Sequence, residues 1–280
     1  MKTILMTAYA VNPYKGSEEG TGWNFICQAA RFNKVIAVTR KNNGEDIEKY
    51  MLQNPEQSAL YGRISFLYFD LPKWMITWKK GPLLSALYFY IWQLSVAVWL
   101  MRRRTRFDVG HSVNFHSNWT PTFLWLLGKP YVWGPAGNHP LIPRQYIRSF
   151  YGTTAYLKDR MLWLVKSVCW YADPALYIGR KKAKTVFCVN SQAARKLRLK
   201  GDKGIFMPAV ASEQPAAIPQ RNSEQFTVLS AGRFVPLKGF DLAINAFSLF
   251  YERLNDEQKK KTSFLIIGKG PEKDKLAGLI

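Results

Sequence analysis

The chain has 280 residues, of which 48% are hydrophobic and 15% aromatic. This composition suffices for two domains with buried cores and excludes a disordered protein. Lys and Arg outnumber Asp and Glu by 40 to 19, and the net charge of +21 favours an anionic partner such as a nucleic acid, an anionic membrane or a phosphorylated substrate. The basic clusters occur without zinc-ligand spacing or an aromatic RNA-binding signature, so anionic lipid is a better interpretation than nucleic acid.

The cysteines and the N-terminus indicate the compartment. Cys27, Cys169 and Cys188 are widely spaced and lie among apolar residues, which is typical of buried thiols in a reducing environment. The N-terminal apolar run Ile4–Met6 is shorter than a signal peptide requires. We interpret this run as the first strand and predict a cytoplasmic protein, with a peripheral position on the inner face of the membrane as an extension of that prediction.

A glycine-rich segment follows the first strand and leads into an apolar helical stripe that begins at Trp23. Its glycines, Gly16, Gly20 and Gly22, have the wrong order for the G-x-G-x-x-G pattern of dinucleotide-binding proteins. A loop at a helix start suits an anion, because the first backbone N–H groups of a helix are free. The alternative is a tight turn and helix cap without a ligand.

The segment 81–101 carries no charge and is long enough to span a membrane. However, both of its flanks are basic, aromatic residues fill its middle, and a strand-like run at 107–111 follows at once, as in a βαβ unit. We therefore favour a buried helix with part of its apolar surface exposed to lipid over a true span. Trp74, Trp78 and the cluster 102–106 resemble an interfacial membrane anchor.

Two further loops follow predicted strands, and such loops bind ligands in open α/β sheets. Asn114 and His116 come after the strand at 107–111, and His139 follows the Gly134–Pro135 loop. A single loop histidine is more often a surface hydrogen-bonding residue than a catalyst. The histidines lack metal-ligand spacing and a carboxylate pair, so we predict no metal site.

The most informative stretch is Phe226–Phe247, which predicts a strand, a basic loop and a helix. The strand breaks at Gly232, cations follow at Arg233 and Lys238, and a helical apolar stripe begins at Leu242. Glycine permits close approach of the backbone, and the helix start and the cations can point at the same place, so the loop suits a diphosphate. The alternative is that both cations are merely solvated surface residues.

The run 231–241, Ala-Gly-Arg-Phe-Val-Pro-Leu-Lys-Gly-Phe-Asp, resembles the start of the donor-binding domain in retaining glycosyltransferases of the GT-B fold, family 4. The G-S-E-x-G-x-G-W segment resembles one branch of that family. The resemblance implies an α/β fold of two Rossmann-like domains facing a cleft, with the diphosphate of a nucleotide sugar held by Arg233 and Lys238 beside Gly232. It also implies a cleft loop formed by Gly16, Ser17, Glu18, Gly20 and Gly22.

Two other segments carry the same resemblance. The segment 129–140 is similar to the family pattern P-x-V-W-G-P-x-G-G, but Asn138 stands where many members have glycine. The run Ile-Ile-Gly-Lys-Gly-Pro is similar to the family pattern I-x-G-x-G-P. The resemblance implies that His116 or His139 positions the sugar or the acceptor. It adds further cleft residues: Asn114, Gly137, Asn138, Gly268 and Gly270.

The predicted domains are an N-terminal Rossmann-like acceptor domain at 1–210, a polar linker at 211–225 and the start of a donor domain at 226–280. In the family, the donor domain continues to a loop with two glutamates seven residues apart, which this chain does not contain. We therefore expect the second domain to be incomplete and the chain to be truncated in it. That interpretation leaves open whether the fragment is active.

The predicted function is that of a retaining hexosyltransferase, which moves a sugar from a nucleotide-diphosphate sugar to a glycan or lipid-linked acceptor. The resemblance implies a role in cell-surface polysaccharide biosynthesis, with no metal or other cofactor. The predicted partners are the nucleotide sugar, the acceptor and an anionic membrane surface, and no nucleic acid is expected. The alternative is a non-catalytic membrane-associated α/β protein held to lipid by the segment 73–106.

Overall fold

The computed structural model describes residues 1–77, 79, 81–113, 117–210 and 224–280. They form two compact units: the first consists of Met1–Leu141 and Met161–Ser212, and the second of Ile142–Arg160 and Glu213–Ile280. In this division the segment 142–160 groups with the C-terminal residues. The predicted domain boundaries stay a prediction. Most of the predicted linker, at 211–223, lies outside the described residues.

The first unit is built on a seven-stranded sheet in which every pair of neighbouring strands is parallel. Its strands are β1 (Thr3–Ala8), β2 (Lys34–Thr39), β3 (Ile64–Tyr68), β4 (Val109–Val113), β5 (Tyr131–Ala136), β6 (Thr185–Cys188) and β7 (Gly204–Phe206). Their order is β3-β2-β1-β4-β5-β6-β7. The chain starts in the middle of the sheet and winds outwards in both directions, which is the doubly wound arrangement predicted for an α/β protein.

Helices cover both faces of this sheet. Successive residues of a strand point to opposite faces, so Leu5 packs into one buried apolar cluster with Trp92 and Trp133, and Met6 packs into the other with Trp23. The helices are α1 (Ser17–Ala30), α2 (Gly44–Gln53), α3 (Ser58–Tyr61), α4 (Lys73–Thr77), α5 (Gly81–Arg102), α6 (Arg144–Ala172), α7 (Pro174–Lys182) and α8 (Ser191–Lys196). Helix α6 is interrupted at Gly152, whose φ is 82°, and it contributes residues to both units.

Helix α5 has one buried and one exposed apolar side. Tyr88 and Trp92 are fully buried, and the Trp92 Nε1 donates to the Phe69 carbonyl oxygen at 3.2 Å. On its other side an exposed apolar stripe consists of Leu84, Leu87, Leu94 and Met101. Among the described residues, Leu83–Arg102 is the one helical segment long and apolar enough to cross a membrane, but 39% of its most apolar window is buried. The helix is thus partly buried with a partly exposed apolar surface, and contact of that surface with lipid stays a prediction.

The second unit contains a two-stranded parallel sheet of β8 (Phe226–Arg233) and β9 (Thr262–Lys269). Three helices accompany it: α9 (Phe240–Glu252), α10 (Asp256–Lys261) and α11 (Lys273–Ala277). Its small core consists of Phe234, Phe240, Ile244 and Leu276. The predicted strand, basic loop and helix at 226–247 are therefore confirmed. The other face of the sheet, with Leu229 and Ile267, is exposed.

Candidate functional site

The predicted diphosphate loop, residues 233–240, connects the carboxyl end of β8 to the first residue of α9. Arg233 and Lys238 are both exposed. Strand β9 pairs with β8 so that Lys269 lies opposite Arg233. Because parallel strands end at a common edge, these cations lie at the edge where α9 presents its free N–H groups. Lys269 was not among the predicted site residues, although its position between two glycines after a strand was a usable signal.

The predicted site glycines have different reasons for being glycine. A Cβ at Gly268 would collide with the Gly232 carbonyl oxygen, and one at Gly270 would collide with the backbone of Phe234. A Cβ at Gly232 would meet only the Phe240 ring, at an ordinary contact distance of 3.5 Å. Gly268 and Gly270 thus allow the loop to pack against β9, whereas internal packing places no such demand on Gly232.

A buried carboxylate anchors this loop within the second unit. Asp241, in the first turn of α9, is 1% exposed. Its Oδ1 accepts a hydrogen bond of 2.7 Å from the Tyr146 hydroxyl, and its Oδ2 accepts one of 3.3 Å from the Tyr151 hydroxyl. The Tyr146 hydroxyl also lies 3.1 Å from the Pro236 carbonyl oxygen. Burial raises the pKa of Tyr146, so the phenol remains a neutral donor. Sequence reasoning missed this contact, which joins residues 95 positions apart.

In the first unit, the predicted cleft loop leads into α1. Gly16 and Ser17 are exposed at the helix start, Ser17 has a φ of 58°, and Glu18 is half-buried. Gly20 and Gly22 are buried, and a Cβ on either would collide with a carbonyl oxygen of the preceding loop. Gly20 and Gly22 therefore let the preceding loop lie directly on α1. Of the predicted cleft-loop residues, Gly16 and Ser17 are the ones open to a ligand.

Asn138 joins three loops at the carboxyl edge of the large sheet. It is 5% exposed, its Oδ1 accepts from the Asn118 Nδ2 at 3.2 Å, and its Nδ2 donates to the Gln192 Oε1 at 3.1 Å. Its carbonyl oxygen accepts from the Asn190 Nδ2 at 2.9 Å. The departure from the glycine of the family pattern thus adds a side chain that ties the loops after β4 and β5 to the first turn of α8.

One of the two candidate histidines, His139, belongs to the described part of the structure. His139 is exposed, beside Asn138, whereas His116 and Asn114 lie outside the described residues. Gly137 pairs with Ser117 in an isolated parallel bridge, which brings the loops after β4 and β5 together. Among the residues that the structure describes, no group of three or more His, Cys, Asp and Glu side chains is arranged to hold a metal ion. The roles of His116 and His139 remain predictions.

Comparison with known proteins gives a family match and a fold match. Residues 212–280 match the family model described as glycosyl transferases group 1. The solved structure of Anabaena HepE in complex with UDP is 12% identical, with a TM-score of 0.46, and the alignment covers 100% of this chain and 64% of HepE. A Staphylococcus aureus TarM mutant, solved with fondaparinux, alpha-GlcNAc-glycerol and UDP, is also 12% identical, with a TM-score of 0.52 and coverages of 100% and 75%. A search of the curated protein sequences gives no match.

The chain thus spans 64% of the length of HepE. The likeness to TarM concerns the fold alone, because the identity is low. The seven-stranded parallel sheet agrees with it, and the second unit contains a short two-stranded sheet. The chain therefore has the predicted GT-B fold, and the segment that carries its basic loop is similar to the glycosyl transferases of group 1.

Proposed function

We propose that this protein is a glycosyltransferase that moves a sugar from a nucleotide-diphosphate sugar to a glycan or lipid-linked acceptor. One observation carries the proposal. Arg233, Lys238 and Lys269 lie at the carboxyl edge of β8 and β9 beside the start of α9, in the segment that matches the glycosyl transferases of group 1. HepE and TarM were both solved with UDP, so UDP is the first nucleotide to test.

The proposed chemistry requires stabilisation of a departing diphosphate. The bond between the sugar C1 and the diphosphate oxygen breaks while a bond from C1 to the acceptor oxygen forms, and negative charge develops on the leaving group. Fixed cations and a helix start stabilise such charge without a metal ion. In our proposal Arg233, Lys238 and Lys269 supply this stabilisation, and His139 or His116 positions the sugar or the acceptor.

The resemblance to family 4 adds finer proposals. They are retention of configuration at C1, with the leaving phosphate taking the acceptor proton, transfer of a hexose, and a role in cell-surface polysaccharide biosynthesis. A donor domain that continues beyond residue 280 also stays a prediction.

Nucleotide binding tests the proposal. We expect isothermal titration calorimetry to detect binding of one of UDP, GDP and ADP. The double variant Arg233→Ala, Lys238→Ala should lose about 100-fold or more in affinity, because each charged contact contributes roughly 1.5–3 kcal/mol. The control is Arg253→Ala, Lys260→Ala, which removes an exposed Arg and an exposed Lys of the same unit that follow α9 and precede β9. An equal loss in both double variants, or unchanged affinity in the first, would refute the diphosphate site.

We infer in addition that the protein is cytoplasmic and binds peripherally to an anionic membrane through α4 and α5. The exposed apolar stripe of α5 and the 68% exposed Trp74 of α4 support this proposal, as does the net charge of +21. The same observations favour the second candidate function, a non-catalytic membrane-associated protein. Binding of vesicles without affinity for any of the three nucleotides would favour that candidate over the glycosyltransferase.

A further inference from the structure

Two cavities of the first unit share the side chain of Arg198. One has a volume of about 480 Å³ and lies between α6, α8 and the loop at Asn138, and the other, of about 400 Å³, lies between α7 and the segment after α8. No Asp or Glu belongs to the described residues that line either cavity. We call this region the Arg198 groove. Its cations are Arg180, Lys181, Arg195, Lys196, Arg198, Lys200 and Lys203.

Several of these cations are held in place by the groove itself. The Lys196 ammonium lies over the ring of Trp163, at 5.1 Å from its centroid, and the Arg198 guanidinium lies 5.2 Å from the centroid of Tyr171. The Arg180 Nη1 donates to the Leu197 carbonyl oxygen at 2.9 Å. Burial, and then the charge of Arg198, lower the pKa of Arg180. The groove therefore concentrates like charges, which an anionic ligand would relieve.

The backbone at Arg198 is unusual for an arginine. Its φ is 50°, in the left-handed region where a helix C-terminus usually has glycine. The Arg198 N–H donates to the Arg195 carbonyl at 3.0 Å and the Leu199 N–H donates to the Ala194 carbonyl at 3.1 Å, which is the Schellman pattern. A non-glycine residue in this conformation costs on the order of 1–2 kcal/mol. The cavities, rather than the backbone conformation, distinguish this arginine, because Arg198 lines both of them.

The groove follows α8 from the carboxyl ends of the strands towards their amino ends. Asn138 and Gln192 lie at one end, where β5 and β6 have just ended. Lys203 lies at the other end, immediately before the first residue of β7. A ligand in the groove would therefore extend from the carboxyl edge of the parallel sheet, where α/β proteins bind their substrates, towards the opposite edge.

We propose that the Arg198 groove binds an anionic glycan chain, whose carboxylate, sulfate or phosphodiester groups contact the cations while its sugar rings pack beside Trp163, Tyr171 and Tyr177. The proposal rests on the proposed function, because it makes the anionic glycan the acceptor of the transferred sugar. A sugar at the Asn138 end would lie at the carboxyl edge of the sheet, and the rest of the chain would follow α8. The groove thus assigns an anionic class to the acceptor.

The shape and the aromatic contacts of the groove argue against other polyanions. A bilayer surface contacts protruding side chains and does not enter concave cavities of this size. Nucleic-acid sites without sequence preference stack bases on aromatic rings, but here a cation lies over the rings of Trp163, Tyr171 and Tyr177. Because a cation occupies one face of each ring and cations line both cavities along α8, we favour a charged sugar chain as the ligand.

The decisive variant is Arg198→Gly, because it removes the guanidinium and relaxes the backbone at the same time. Arg104→Gly is a matched control. Arg104 is exposed, has the same φ of 50°, and follows α5, where Arg104 and Thr105 donate to Met101 and Leu100 in the same Schellman pattern. Both variants lower the net charge by one. We expect Arg198→Gly to weaken the binding of hyaluronan oligosaccharides by about tenfold and Arg104→Gly to leave it within twofold.

The readouts are calorimetric titration with hyaluronan oligosaccharides, with neutral dextran and with oligo-dT, flotation with phosphatidylglycerol vesicles, and the Tm of each variant. Neither glycine variant should lower the Tm, since both relieve a left-handed residue. The proposal would be overturned if the two variants weakened hyaluronan binding equally, or if the protein also bound neutral dextran. It would likewise be overturned if Arg198→Gly weakened only the binding of oligo-dT or of vesicles. If the nucleotide titration described above detects no UDP binding while the glycan binds, only the donor site is refuted. Intact UDP binding without glycan binding would refute only the groove.

Discussion

His111 lies on β4 with its ring 5.7 Å from the rings of both Phe25 and Phe187. Its Nε2 donates to the Gly134 carbonyl oxygen at 2.9 Å, which fixes the neutral tautomer. Burial lowers the pKa of His111 from 6.5 to about 4. Between these two values the unfolded chain binds a proton that the folded protein does not. The free energy of unfolding therefore falls as the pH falls from 6.5 to about 4, by up to about 3 kcal/mol.

This pH dependence can be isolated with His111→Gln, because the amide nitrogen of glutamine can replace the donor to Gly134 without titrating. Urea denaturation of the wild type and the variant at about pH 7.5 and about pH 4.5 gives four free energies of unfolding. We expect the wild type to lose more stability than the variant on acidification, and the difference belongs to His111. Equal losses in the two proteins would show that His111 is protonated in the folded state at its ordinary pKa.

Helix α6 contacts α9 within the second unit through the hydrogen bond from Tyr146 to Asp241. Tyr146→Phe would leave the buried Asp241 carboxylate without its 2.7 Å donor, which should destabilise the unit by roughly 1–3 kcal/mol. Tyr151→Phe removes a longer bond of 3.3 Å and should cost less. We expect faster amide hydrogen exchange across the diphosphate loop in Tyr146→Phe than in Tyr151→Phe. Exchange as slow as in the wild type would exclude a role for this contact in anchoring the loop.

Elements that depend on local sequence patterns could be predicted, whereas contacts between residues far apart in the chain could not. The strand, loop and helix at 226–247 follow from local periodicity and a glycine, and they were predicted correctly. The partial burial of α5 was predicted as well, because a strand follows the apolar segment directly. The grouping of 142–160 with the second unit could not be predicted, since it depends on Tyr146 meeting Asp241 far along the chain. Likewise, Gly20 and Gly268 have steric roles that only the packed loops reveal.

The net charge of +21 is a property of the whole molecule, and its effect depends on where apolar surface accompanies it. Positive charge attracts the protein to anionic lipid over a Debye length of about 10 Å at 0.1 M salt, but it does not insert into a bilayer. The exposed apolar stripe of α5 supplies that insertion in our proposal. Membrane binding should therefore require both anionic lipid and the stripe.

Flotation with phosphatidylcholine vesicles, with and without phosphatidylglycerol, tests this requirement. We expect binding only to the anionic vesicles, with a marked decrease between about 0.05 M and about 0.5 M NaCl as the charges are screened. The double variant Leu84→Ser, Leu87→Ser should bind several-fold more weakly, because each leucine would otherwise bury apolar area in the lipid. Leu52→Ser is the control, since Leu52 is 82% exposed on α2, outside the stripe. If the double variant and Leu52→Ser bind alike, charge alone accounts for the attraction and α5 does not enter the membrane.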